Sequence, residues 1–119
     1  MSVLLDSVIL IDHLNGISAA TRYLESLTEA SISVITRAEV LAGIAMPEVR
    51  EWLDRYPTIP IDRQTADLAA DLRRQYKWKL PDAFQAAIAA KHGLKLATRN
   101  IKDFPPERHS FVVVPYSSR

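Results

Sequence analysis

Four carboxylates recur at one kind of place along this 119-residue chain. Asp6 follows the apolar run Val3 to Leu5, and Glu39 lies just beyond the β-branched stretch Ser31 to Ile35. Asp82 stands at the mouth of an alanine-rich segment, and Asp103 comes just after the apolar run Leu94 to Thr98. Carboxylates gathered within a few ångströms repel one another, and some take up protons unless a cation compensates them. A hard divalent ion is the natural compensation, since Mg²⁺ takes one or two carboxylates and keeps water and substrate phosphate as its other ligands. Such an ion acidifies water and polarises a phosphodiester, which is the chemistry of metal-assisted hydrolysis. For any one of the four, capping a helix is the simpler reading, because Asp and Glu bind the free amides there and oppose the dipole. Their recurrence at successive strand ends tells against capping alone.

The elements that would bring them together are legible in order. Val3 to Leu5 reads as a buried strand, and Ser7 caps a helix that buries Val8, Ile9, Leu10, Ile11 and Leu14 and stops at Gly16. Ser18 opens a second helix with Ala19, Tyr23, Leu24 and Leu27 on one face. Ser31 to Ile35 reads as the second strand, and Thr36 with Glu39 forms a capping-box pattern opening a helix from Arg37 to Ala45. Pro47 starts a helix that Pro57 ends; Thr58 to Ile61 follows as a strand that Pro60 confines to an edge. Asp62 caps a long helix to about Lys77. The stretch from Leu80 to Phe104 is a proline-headed helix, a closing Gly93, a strand and Asp103, the second half of a β-α-β unit. Phe111 to Val114 closes the sheet. Alternation of strands and helices over the whole length predicts a single α/β domain, residues 1–119. It holds a parallel sheet of four to five strands with helices on both faces. In such a sheet the four acids share the C-terminal edge, where ligands bind.

Composition narrows the classes. Hydrophobic residues at 48% and charged residues at 24% mark a globular domain large enough to bury its own core. No run reaches the ~20 apolar residues of a membrane span. Asp6 and Asp12 inside the apolar N-terminus, with no basic leader, argue against a signal peptide. The absence of cysteine removes disulfides and thiolate zinc sites and fits a reducing cytoplasm. A net charge of +1 advertises no bulk affinity for nucleic acid, although a local basic patch remains compatible with it.

The motifs around the acids resemble the PIN-domain ribonucleases, most closely the VapC-type toxins of toxin–antitoxin pairs. VLLDSVILIDHLNG is similar to the opening strand and helix of that family, SVITRAEVLAG to its second motif, LPDAFQAAIAAKHGLKLATRN to its third and TRNIKDF to its last. Val8 stands where a small polar residue is usual. The resemblance implies a Mg²⁺- or Mn²⁺-dependent endoribonuclease, a homodimer held inactive by a cognate antitoxin. Asp6, Glu39, Asp82 and Asp103 would hold the ions, and Ser7, Thr98 and Asn100 would position the acids by hydrogen bonding. Arg37, Arg99 and Lys102 lie beside the acids and are placed to meet RNA phosphates, with ordinary solvated charge as the competing role.

Other residues are read without a site. His13, His92 and His109 have no ligand spacing, Asp12 reads as solvated, and Asp62 and Asp67 as a cap and an exposed helix charge. Glu25 and Glu29 near Arg22 make a wet helical face; Trp52, Tyr56, Tyr76 and Trp78 are core aromatics first and a partner surface second. Ser7 has no base beside it for nucleophilic catalysis. Two rivals share the acidic pocket, a Mg²⁺-binding receiver domain that accepts a phosphoryl group and a catalytically idle PIN-like binding module. The receiver would want adjacent acids after the first strand and a lysine after a late one. Instead Asp6 stands alone before Ser7, and Thr98 is followed by Arg99 and Asn100. A nucleotide-binding module is weaker still, with three glycines and no phosphate loop.

Overall fold

The computed structural model describes residues 2–117. Five strands, β1 (Val3–Leu5), β2 (Ala30–Ser33), β3 (Thr58–Ile59), β4 (Lys95–Ala97) and β5 (Val112–Val113), alternate with six helices. These are α1 (Ser7–Leu14), α2 (Ser18–Glu25), α3 (Val34–Gly43), α4 (Pro47–Leu53), α5 (Arg63–Tyr76) and α6 (Leu80–His92). The strands form one parallel sheet in the order β3-β2-β1-β4-β5. β3 is a two-residue edge strand that stops before Pro60, which has no N–H to continue the ladder.

Side chains of the central strands alternate between two cores. Leu4, Leu96 and Val112 point to one face, against α5 and the alanines Ala83, Ala86, Ala87 and Ala89 of α6. Val3, Leu5, Ile32 and Ala97 point to the other, against Ile9, Leu10, Val40, Val49 and Leu53 of α1, α3 and α4. Each fully buried Leu or Ile contributes about 1.5–3 kcal/mol relative to exposure. Buried alanines let α6 approach closely, so the element that carries Asp82 rests against the sheet with little room to shift. The expected α/β architecture with helices on both faces is present.

Two helix starts differ from expectation, and both differences bear on the site. α1 is capped by Asp6, whose Oδ1 accepts the Ser7 N–H at 2.8 Å, so Ser7 is already helical. β2 ends at Ser33 and α3 begins at Val34, three residues earlier than the Thr36–Glu39 pattern indicates. Ser33 is the cap, its Oγ accepting the Thr36 N–H at 3.1 Å; Thr36 is inside the helix and donates its hydroxyl to the Leu5 carbonyl. Glu39 therefore does not close a capping box and sits exposed on the second turn of α3.

Candidate active site

The strand order reverses between β1 and β4, and in a doubly wound sheet the crevice outside that reversal is the ligand site. Asp6 stands at this point on the end of β1, its N–H donated to Ala97 of β4 at 3.0 Å. Beyond β4, Thr98 is fully buried and donates its hydroxyl to Asp6 Oδ2 at 2.6 Å. The same Thr98 oxygen accepts the Asn100 N–H at 3.0 Å. Asn100 in turn gives its side-chain amide to Asp103 Oδ2 at 3.1 Å and accepts the Asp103 N–H at 3.3 Å. One hydrogen-bonded chain thus runs from the end of β1 to Asp103. Both oxygens of Asp6 accept bonds, which fix the direction of its carboxylate.

Asp82 enters from the first turn of α6 and Glu39 from α3, and with Asp6 they line a cavity of about 250 Å³. Ser7, Val8, Gln85, Arg99 and Asn100 complete its wall. Asp103 lies beyond that wall, but its charge reaches Asp82. The Asp82 carboxyl is pushed up to about 6, first by burial and then by the charges of Asp6, Asp103 and Glu39, against a smaller opposing effect of Lys79. The charges of three acids far apart in sequence therefore reach Asp82 at one rim. Among the described residues, no three acidic or histidine side chains stand close enough for a ready-made chelate. A carboxylate-lined cup of this kind suits a small hard cation that would keep water between itself and part of the protein.

The basic residues sort differently from expectation. Arg37 pairs with Asp54 at 2.9 Å and takes no part in the cavity wall. Arg99 does line it, but its guanidinium is fixed by Asp12, with Nε at 2.7 Å and Nη2 at 3.2 Å. Tyr116 donates to the same Asp12 carboxylate at 2.8 Å. Asp12 is thus no solvated charge; its side chain is 14% exposed and joins α1 to the chain's last described turn. Lys102 stays exposed on the loop before Asp103. Sequence reasoning also passed over Gln85, buried one turn after Asp82, whose amide donates to Thr36 Oγ1 and whose carbonyl oxygen accepts from Ser33, both at 2.7 Å. A lone amide in an otherwise alanine-rich buried run was the available signal. The receiver-like alternative fails on topology, since that class has the order 2-1-3-4-5.

Comparison with known proteins points the same way. The family model of the PIN domain matches residues 3–105. Ribonuclease VapC10 of Mycobacterium tuberculosis is 36% identical over 114 residues, covering 87% of this chain and 86% of that protein. A toxin–antitoxin complex from Klebsiella pneumoniae contains a chain 39% identical, with a TM-score of 0.91 over 98% of this chain and 99% of that one. FitAcB from Neisseria gonorrhoeae, at 24% identity, shares the fold with a TM-score of 0.76 over 95% and 97% of the two chains.

Proposed function

The chain belongs to the PIN-domain family, and on that premise we propose that it is a metal-dependent endoribonuclease whose centre is Asp6, Glu39, Asp82 and Asp103. The toxin role follows from the relatives, a named ribonuclease and a chain of a toxin–antitoxin complex. RNA is the substrate and a cognate antitoxin the partner. The reading of the site rests on one observation: Asp6, Glu39 and Asp82, carried by three separate elements, line one cavity at the carboxyl-terminal edge of the sheet, with Asp103 tied to Asp6 through Thr98 and Asn100. A single domain over residues 1–119 is supported by the matched region and β5 sharing one sheet.

The four carboxylates suit Mg²⁺ or Mn²⁺, which when bound supplies positive charge to the phosphodiester and acidity to the attacking water. The chain's own work is placement. Asp6 is fixed in direction by Ser7 N–H and Thr98. Thr98 and Asn100 align Asp103 with it, a role whose loss typically costs 10–100-fold, a range of about one to two decades. Asp82, pushed up to about 6 by burial and by its acidic neighbours, is the carboxyl whose charge a bound cation would favour. Arg99, steered by Asp12, and exposed Lys102 stand at the rim where phosphate approaches. Among the described residues no helix is long and apolar enough to cross a membrane; the cytoplasm, where RNA and antitoxin meet, completes the proposal. The family likeness also implies a homodimer, which sedimentation of the purified chain checks.

The test is cleavage of RNA by purified protein with Mg²⁺ or Mn²⁺. Activity should vanish with EDTA and in Asp6→Asn, whose thermal melt should resemble the parent's. Undiminished cleavage by Asp6→Asn would place the chemistry elsewhere.

A further inference from the structure

The segment RRQYKWK, residues 73–79, joins α5 to α6 and carries Arg73, Arg74, Lys77 and Lys79 with no acid among them. Two of these cations are engaged locally: Arg73 with the Trp78 carbonyl and Arg74 with Asp71. Lys77 and Lys79 are exposed. The aromatics between them form a stack: the Tyr76 ring lies on Trp78 at 4.5 Å with 16° between planes, and His109 meets both edge-on. Trp78 is buried, whereas Tyr76 is 41% exposed with Trp78 stacked against its ring. The Trp78 indole donates to the Asp103 carbonyl at 2.8 Å, and Lys79 caps α6 three residues before Asp82. The corner is therefore fastened to two of the four acids.

Its backbone carries an independent sign. Lys77 ends α5 in the left-handed conformation, φ 65°, and among the described residues no other non-glycine has a positive φ. α6 ends in the same conformation, φ 64°, and uses Gly93 there. Glycine is the residue that conformation favours, and a side chain kept there against strain points to a use for it.

We propose that the α5–α6 corner is a nucleobase platform: an unpaired base of the substrate stacks on the Tyr76 ring while Lys77 and Lys79 hold the flanking phosphates. This rests on the ribonuclease reading. It selects single-stranded RNA, because base stacking on a fixed aromatic needs a splayed base, and cations beside it bind the backbone of any sequence.

The test uses the full chain carrying Asp6→Asn, which binds without cutting, and a fluorescein-labelled single-stranded RNA read by anisotropy. Adding Tyr76→Ala should weaken binding about tenfold, within the range for loss of one stacked base; Tyr76→Phe should retain it. Lys77→Gly should raise the melting temperature yet weaken binding, and flatten the plot of log affinity against log salt by about 0.7, the loss of one phosphate contact. Parent-like affinity in both Tyr76→Ala and Lys77→Gly overturns the platform. So does a Tyr76→Ala protein that binds normally but shifts from dimer to monomer, which assigns the corner to contact between copies. Neither outcome touches the nuclease reading, which is decided by cleavage in the otherwise wild-type chain.

Discussion

The two rims of the sheet make an instructive pair. At the amino-terminal ends of the strands lies a cavity of about 470 Å³, walled by Leu24, Leu27, Glu29, Arg55, Tyr56 and Leu94. At the carboxyl-terminal ends the acid-lined cavity is about half that size. The larger one is chemically quiet: Glu29 accepts the Ser2 hydroxyl at 2.7 Å, and Tyr56 shifts upward chiefly because it is buried. The smaller one concentrates like charge, and Asp82 registers it. Volume locates room, whereas uncompensated charge locates chemistry.

Substitution at each rim should break that symmetry most visibly. Asp82→Asn should lower RNA cleavage roughly a hundredfold to a thousandfold, since an ion's stabilisation of the reacting phosphate amounts to several kcal/mol. Glu29→Gln, its counterpart at the other rim, should leave the rate unchanged; a comparable fall there would erase the distinction. Next in size is Thr98→Val, which removes the hydroxyl between Asp6 and the Asn100 N–H. Cleavage should fall about 10–100-fold, the usual range when a residue supporting a ligand is lost.

A milder contrast concerns pH. Asp82 has a folded pKa of about 6 against 3.8 for the ordinary group, so the folded state holds its proton more tightly than the unfolded chain. Its stability contribution is complete below pH 3.8 and is lost as pH rises through about 6. Through this group, metal-free protein should therefore melt at a lower temperature at pH 7 than at pH 5. Mg²⁺ should restore more at pH 7 than at pH 5, and Asp82→Asn should flatten the difference. Smallest is Asp12→Asn, which weakens the grip on Arg99: a loss of about 1.5–3 kcal/mol in denaturant unfolding, of the order of one hydrogen bond to a charge, with kcat nearly unchanged and KM for RNA raised a few-fold.

The sheet, both helical layers and the placing of Asp6, Glu39 and Asp82 around one cavity were legible because each depends on local pattern: apolar runs, proline and glycine punctuation, and acids just past β1 and β2 and at the mouth of α6. What escaped depends on partners distant along the chain. Ser33 outcompetes Thr36 as the α3 cap while its own hydroxyl is held by Gln85, 52 residues away. Asp12 looked solvated because Arg99 and Tyr116, 87 and 104 residues on, cannot be foreseen from a helical position. Arg37 seemed a neighbour of the site through its closeness to Glu39 in sequence, yet the turn of α3 sends it to Asp54. Periodicity fixes which face a residue occupies; only packing decides whom it meets.

The triangle of Ser33, Thr36 and Gln85 is buried, and no buried side-chain polar atom among the described residues lacks a partner. A partner that wedged an apolar group between α3 and α6 would break these bonds and leave several of the atoms buried without partners, each at a cost of about 1–3 kcal/mol. Filling the acid-lined cavity that Glu39 and Asp82 share therefore disturbs less of the molecule than a wedge between those two helices.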